Sequence, residues 1–292
     1  MQVLVIPTLS DNYTYYLYHP LRPENGLYID LARAQSVLDC RKLLGLPELK
    51  SGDLVTILTT HKHWDHSQGN VELPNLVPGL NLRVYGSKTD HVPGCTVVLD
   101  YSDSEDRVIN LDVSDTEFGA KIRAINAPCH SAGSVLYDVE SSDPISVEPV
   151  QEIILEHFEA PPGQHVKTKQ YKLVKNVRRC VFTGDTVFIG GCGKFFEGEA
   201  TQMLSNMDLF TGTETKEAYF PDDTLIFPGH EYSADNLKFC LSVVGDNICP
   251  EQEIMVMYHE KFRELGHRES PIPTVPSVLK NEKKYNLFMM CR

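Results

Sequence analysis

Short apolar and polar runs alternate along the first half of the chain, and most of them have the spacing of β-strands. Strands are predicted there at residues 3–7, 13–18, 27–30, 54–60, 82–85, 108–111, 121–125 and 135–139. The run 54–60 is apolar and β-branched, as in a strand that is buried on both faces. Residues 34–44 instead have helical spacing, and Gly69 and Asn70 favour a turn. This half of the chain therefore predicts an α/β fold.

The second half begins with a segment that is hard to interpret. Residues 141–179 are charged and rich in proline, and we interpret them as a surface insertion between two paired strands. Buried strands are predicted again from Cys180 and from Thr224. Between these strands, residues 190–196 predict a flexible glycine loop, and residues 199–209 predict a helix.

Strand signals become rare after residue 230. Helices are predicted at residues 234–244, 251–265 and 277–284, with a proline-rich linker at 271–276. We therefore expect two domains, a larger one over 1–230 that carries the catalytic chemistry and a small helical one over 231–292 that binds substrate.

Charge narrows the range of partners. The 292 residues include 40 acidic and 27 basic side chains, a net charge of -13. Nucleic acids and anionic membranes are unfavourable partners for such a chain, because phosphate-rich surfaces need clustered lysine and arginine. The start of the chain lacks the basic segment of a secretory signal, and the eight cysteines are scattered. We expect a cytoplasmic monomer that acts on a small molecule.

Seven side chains of metal-ligand type share one placement, each just after the end of a predicted strand. They are His61, His63, Asp65, His66, His130, Asp185 and His230. Imidazole and carboxylate ligands suit zinc, and also iron or manganese. The number of donors suffices for two divalent ions that share one carboxylate. Such a pair activates water near neutral pH, so the residues predict hydrolysis of an ester, thioester, amide or phosphodiester.

The motif at residues 60–66, Thr-His-Lys-His-Trp-Asp-His, resembles the signature of the metallo-β-lactamase superfamily. Further motifs resemble glyoxalase II, the hydroxyacylglutathione hydrolases, and spread over most of the chain. They lie at residues 11–13, 127–130, 182–186, 191–198, 229–232, 236–239 and 273–277. This resemblance implies an αββα sandwich with a small, all-helical C-terminal domain.

The resemblance also implies a role for individual residues. It assigns His61, His63 and His130 to a first metal, Asp65, His66 and His230 to a second, and Asp185 to both. Asp65 and Asp185 are thereby implied as catalytic carboxylates. The residues implied to hold the thiol carrier are Lys194, Phe195, Phe196, Tyr232 and Arg292. The implied reaction converts S-D-lactoyl and related 2-hydroxyacyl thioesters to D-lactate and free thiol, in methylglyoxal detoxification.

Two departures from the family pattern concern the thiol carrier. Phe196 stands where the family usually has tyrosine, and the tail 286–292 lacks the family's run of basic residues. Fewer cations in an acidic protein favour a less anionic thiol. Trypanothione, a glutathione–spermidine conjugate, is therefore an alternative to glutathione as the carrier.

Three other functions are compatible with parts of the sequence. A persulfide dioxygenase of this fold would use one iron, held by two histidines and an aspartate, and would lack a long helical tail. A non-catalytic relative would show a missing ligand. A nuclease of the superfamily would need a basic groove, which the net charge of -13 disfavours.

Overall fold

The computed structural model describes residues 1–102, 107–113, 119–143, 148–159, 167–245, 253–266 and 271–291. Its helices are α1 Gln35–Leu43, α2 Trp64–Leu76, α3 Ala200–Thr211, α4 Ser233–Val244, α5 Glu253–Gly266 and α6 Leu279–Tyr285. Among these described residues, no helix combines the length and the apolar character that crossing a membrane requires.

The strands form two large sheets and one small hairpin. In chain order they are β1 Gln2–Thr8, β2 Asn12–His19, β3 Arg22–Ile29, β4 Leu54–Leu58, β5 Asn81–Ser87, β6 Val97–Leu99, β7 Val108–Leu111, β8 Ala120–Asn126, β9 Val135–Ser141, β10 Gln151–Glu159, β11 Lys167–Lys175, β12 Arg179–Gly184, β13 Val187–Phe188, β14 Gly191–Cys192, β15 Leu225–Pro228 and β16 Ser277–Val278. The first sheet has the order β10-β11-β1-β2-β3-β4-β5-β6 and the second β16-β15-β12-β9-β8-β7. β13 and β14 pair only with each other.

Alternating side chains place these sheets between layers of helices. Val3 and Val5 of β1 lie in the core between the two sheets, whereas Leu4 and Ile6 face the opposite side, where α1 and α2 pack. Successive residues of a strand point to opposite faces, so an apolar strand must be covered on both. The second sheet is covered in the same way by α3, whose Phe210 is buried. The arrangement is the predicted αββα sandwich.

The prediction of a turn at Gly69 and Asn70 is wrong, because both residues lie within α2. The backbone of Gly69 packs against Leu31, whose carbonyl accepts its N–H at 2.7 Å. The Asn70 amide donates to the Thr59 hydroxyl at 3.1 Å. Both residues therefore serve the packing of α2 on the first sheet, an effect that local turn propensity does not contain.

The segment 141–179 also differs from the predicted surface insertion. The strands that flank it, β9 and β12, do pair with each other. Within it, β10 and β11 form a hairpin that extends the first sheet, since β11 pairs antiparallel with β1. Tyr171 and Val174 of β11 are fully buried, so the hairpin belongs to the core.

The C-terminal part contains the predicted helices together with one short strand. β16 pairs antiparallel with β15 at the edge of the second sheet. Leu237 of α4 and Tyr285 of α6 lie in the same apolar cluster as the residues between the two sheets. The helical region is thus packed directly against one end of the sandwich.

Candidate metal centre

The seven predicted ligand residues lie where strands end on one side of the sandwich. β4 leads through residues 59–62 into His63, which precedes the first turn of α2. That turn presents Asp65 and His66. The other three residues follow strands of the second sheet: His130 comes after β8, Asp185 directly after β12 and His230 after β15. Strand ends from both sheets therefore meet at one place.

The ligand atoms converge in three overlapping groups. Within each group, one donor atom from every residue lies within 4.8 Å of the others. The groups are His61, His63 and His130; His61, His66 and Asp185; and Asp65, His66 and His230. Because His61 and His66 each belong to two groups, the seven side chains form one continuous cluster.

The outer nitrogens of three histidines have partners that fix the orientation of the rings. Nδ1 of His66 lies 2.9 Å from an Asp30 carboxylate oxygen, and Nδ1 of His230 lies 2.8 Å from Asp11. His130 Nδ1 donates to the Lys194 carbonyl at 3.0 Å. Carboxylates and carbonyls only accept, so these Nδ1 atoms carry the hydrogen. When such a ring is neutral, its Nε2 lone pair faces inward, as metal binding requires.

The same reasoning orients His61 through Thr60. The Thr60 hydroxyl donates to an Asp30 carboxylate oxygen at 2.7 Å, which leaves it to accept from His61 Nδ1 at 3.1 Å. His61 Nε2 then presents a lone pair to His63 Nδ1 at 3.0 Å. His63 Nδ1 is also 3.0 Å from Nε2 of His130. One hydrogen cannot serve both contacts, so two lone pairs meet unless a cation lies between them.

One carboxylate oxygen of Asp185 is also placed where a bound cation would stabilise it. Oδ1 is buried and has no hydrogen-bond partner, although His66 Nε2 lies only 3.2 Å away. Oδ2 lies 3.3 Å from His230 Nε2 and 3.5 Å from His130 Nε2. A buried unpaired carboxylate oxygen is costly. Its inward position among imidazole nitrogens fits a metal ligand.

Two of the buried histidines favour the neutral form. Burial holds the pKa of His61 well below its ordinary value, with a further contribution from His66. Burial also lowers the pKa of His130. Neutral imidazole is the form that binds a metal ion, so both rings are prepared for that role.

At two other buried rings, those of His66 and His230, neighbouring carboxylates raise the pKa in spite of burial. Although burial opposes protonation, Asp185 raises the pKa of His66 well above its usual value and that of His230 to about 9. The positive charge of these rings in turn holds the pKa of Asp185 well below its ordinary value, against the effect of burial. Protons therefore balance the carboxylates when no cation is present, and a divalent ion would release them on binding.

The charge of the cluster is suited to two divalent ions. Four carboxylates contact the histidines, namely Asp11, Asp30, Asp65 and Asp185. Against these, His61 and His130 are neutral by the shifts described above. Two divalent cations would balance four carboxylates, and the mixed imidazole and carboxylate set suits zinc, iron or manganese.

Two glycines let the backbone approach the cluster closely. A Cβ on Gly229 would lie 2.5 Å from Asp185 Oδ1 and 2.6 Å from His66 Cε1. A Cβ on Gly193 would lie 1.7 Å from the Asp185 carbonyl oxygen. Any side chain at these positions would displace Asp185, so the glycines are part of the architecture of the site.

The residues predicted to hold the thiol carrier lie on the rim of the cluster. Phe196 is exposed, and its ring centroid lies 5.2 Å from that of His130 and 6.0 Å from that of His63. Tyr232 stacks on His230 with centroids 4.8 Å apart and an interplanar angle of 8°. Lys194 and Phe195 are exposed beside Phe196. The predicted residue Arg292 lies outside the described residues.

Sequence reasoning missed the residues that orient the ligands. Asp30 bonds His66 and Thr60, Asp11 bonds His230, and the Asn12 amide donates to Asp65 Oδ2 at 3.0 Å. A usable signal existed for Asp30, which directly follows an apolar strand as the ligands do. Asp11 is in a turn and Asn12 begins β2, and the motif at residues 11–13 resembled the family without giving either residue a role.

The chain is similar in sequence to one family model and to a named relative. The family model described as hydroxyacylglutathione hydrolase C-terminus matches residues 231–292. A relative from Arabidopsis thaliana, named hydroxyacylglutathione hydrolase cytoplasmic, is 31% identical over 289 residues, which cover 99% of this chain and 88% of the relative.

Among the solved structures that are similar to this chain, we describe the one with the same fold over most of its length. It is a metallo-beta-lactamase from Staphylococcus aureus subsp. aureus COL, with a TM-score of 0.51 and 16% identity. The match covers 95% of this chain but only 59% of that chain. At this identity the likeness concerns the fold alone, and it agrees with the αββα arrangement.

Proposed function

Because the chain belongs to the hydroxyacylglutathione hydrolase family, as its motifs predicted, we propose that it hydrolyses 2-hydroxyacyl thioesters at a two-metal site. The observation that carries the proposal is the convergence of the donor atoms of seven side chains in three overlapping groups. We propose that His61, His63 and His130 hold one ion, that Asp65, His66 and His230 hold the other, and that Asp185 contacts both. Zinc is our preferred metal.

Bound divalent ions would supply two kinds of chemistry, a water of lowered pKa and polarisation of the thioester carbonyl. The chain's own residues prepare the site for that chemistry. Asp30 and Asp11 hold His66 and His230 with their lone pairs inward, and the Lys194 carbonyl does so for His130. These outer partners keep the ligand set fixed, so little reorganisation is needed during the reaction.

The rim residues would bind the thiol carrier and leave the acyl group at the cluster. The exposed Lys194 offers a cation to a carboxylate of the carrier. Phe196 and Tyr232 supply ring surfaces on opposite sides, one against His63 and His130 and the other against His230. We propose that residues 231–292 form the domain that closes this binding surface, and that Arg292 contributes to it.

We propose that the protein prefers, or accepts, trypanothione as an alternative to glutathione as the carrier. The net charge of -13 and the shortage of cations in the tail 286–292 favour a carrier with positive charge. Release of D-lactate from its lactoyl thioester would place the protein in methylglyoxal detoxification. We propose that it acts as a cytoplasmic monomer, a location that the name of the Arabidopsis relative supports.

The test is hydrolysis of S-D-lactoylglutathione and of its trypanothione counterpart by the purified protein, with metal content measured in parallel. We expect about two ions per chain and activity that a chelator removes. Asp185→Asn should lower kcat/KM by more than about 100-fold, beyond what loss of an outer partner typically costs. Asp222→Asn, at an exposed carboxylate paired with Lys283, is the matched control and should leave kcat/KM unchanged.

Two results would contradict these proposals separately. A single iron per chain with no thioester hydrolysis would favour the dioxygenase chemistry over the hydrolase. Equal or better kcat/KM with the glutathione thioester would exclude a preference for trypanothione while leaving the hydrolase intact.

A further inference from the structure

The turn of the β13–β14 hairpin is held by side chains from the helical region. We propose that Asn236, Glu282 and Asn286 are positioning residues that fix the glycine loop, defined as residues 188–193, and through it the carrier-binding Lys194 and Phe196. The role of the helical region would then extend beyond contact with substrate. This inference rests on the proposed function only for the role of Lys194 and Phe196.

α6 supplies Glu282, and Asn286 directly follows the last residue of this helix. The Glu282 carboxylate accepts the N–H of Gly190 at 2.9 Å. The Asn286 amide donates to the carbonyls of Phe188 and Gly191, at 3.2 and 3.1 Å. These two side chains, one helical turn apart, thus form hydrogen bonds to the main chain of three residues of the glycine loop.

α4 supplies the third positioning side chain and a thiol. The Asn236 amide donates to the carbonyl of Ile189 at 3.0 Å, and the Cys240 thiol donates to the carbonyl of Gly190 at 3.2 Å. Together with α6, the helices bind the main chain at every residue from 188 to 191. Buried main-chain groups need such partners, and side chains distant in sequence supply them for this turn.

Glu282 is buried, so its carboxylate depends on these hydrogen bonds for its polar partners. Its side chain is completely buried, and burial raises its pKa above the ordinary value. Tyr285 and Asn286 also donate to its carboxylate, at 2.5 and 3.1 Å. A fully buried glutamate is rare unless it is paired, and here its partners are the glycine loop and its own helix.

The glycine loop connects these helices with the metal cluster. Its last residue, Gly193, packs on the Asp185 carbonyl, and the next residue, Lys194, accepts the hydrogen bond of His130. Phe196 follows two residues later and contacts the ring of His130. A shift of the loop would therefore move the cation and the ring of the rim.

The test compares Asn236→Ala and Asn286→Ala with Asn281→Ala as the matched control. Asn281 lies on α6 and donates to the Tyr258 hydroxyl at 3.2 Å, a contact within the helical region. Hydrogen exchange of the peptide 188–197 should become faster in the two test variants and stay unchanged in the control. KM for the thioester should rise about threefold to tenfold, the effect of one hydrogen bond, while kcat changes less than twofold.

A structural effect alone would lower the amount of folded protein and would not raise KM. Unchanged exchange of 188–197 and unchanged KM in both test variants would overturn the inference. If Asn286→Ala does not fold, the test depends on Asn236→Ala alone, at a residue that is only half-buried. If the wild-type protein hydrolyses no thioester, the proposed function fails, and hydrogen exchange still decides whether the helices position the loop.

Discussion

Asp30 shows how a single residue combines backbone strain with the orientation of the site. Its φ of 51° lies in the left-handed region, which aspartate tolerates better than most residues. Its carboxylate accepts from the Thr60 N–H and hydroxyl, both at 2.7 Å, and from His66 at 2.9 Å. These three bonds compensate for the unusual conformation and orient His66 directly and His61 through Thr60.

Gly229 gives a sharp prediction at the same scale. Gly229→Ala would place a methyl group 2.5 Å from Asp185 Oδ1, so the carboxylate must move away from the histidines. We expect metal affinity to fall by at least about tenfold, the lower range for a disturbed ligand environment. Metal titration of the apoprotein measures this. Gly266→Ala, with open space around it, is the control, and equal affinity of Gly229→Ala and wild type would contradict the argument.

The candidate ligands could be recognised from the sequence because their signal is local. Each follows a strand, and the strand pattern is visible in the residues themselves. Except for Asp30, which also follows a strand, the orienting residues carry no such signal, because their role depends on contacts between distant positions. Asp11 and His230, for example, are separated by 219 residues. Residue types alone do not show which turn aspartate faces a histidine.

At the level of elements, strand and helix periodicity predicted most of the sandwich, and it failed where packing overrides local preference. α2 contains Gly69 and Pro74, both poor residues for a helix interior, but close packing on Leu31 needs a glycine there. The sequence predicts a flexible glycine loop at residues 190–196 and gives no sign of what contacts it. Side chains that lie 50 to 95 residues further along the chain form hydrogen bonds to the main chain of Gly190 and Gly191.

The hairpin of β10 and β11 yields a prediction about stability. Tyr171 is completely buried on β11, whereas Ile154 on β10 is exposed. Tyr171→Ala should lower the free energy of unfolding by about 3–5 kcal/mol, as large-to-small changes in cores do. Ile154→Ala should cost less than about 1 kcal/mol. Denaturant unfolding of both variants measures these free energies. If both substitutions lower the free energy of unfolding by a similarly small amount, the segment 141–179 is better described as a surface insertion.

At the scale of the whole molecule, the sandwich brings strand ends of both sheets to one place. His61 follows a strand of the first sheet, and Asp185 follows a strand of the second. The cluster therefore spans the two layers, and the group that contains both residues exists only when the sheets are packed together. Folding and metal binding should consequently be linked, because the unfolded chain lacks the site.

This linkage predicts that metal removal destabilises the entire fold. An ion present at about 1,000 times its dissociation constant adds about 4 kcal/mol to the native state. For a chain of this size that corresponds to a fall in Tm of about 10 °C when a chelator removes the metal.

Asp185→Asn, which loses the carboxylate between the ligand groups, should show a much smaller chelator effect, and Asp222→Asn the full effect. Thermal unfolding with and without chelator measures all three proteins. A chelator shift of the same size in Asp185→Asn as in wild type would mean that the metal stabilises the protein from some other place, and the seven-residue cluster would lose its assignment.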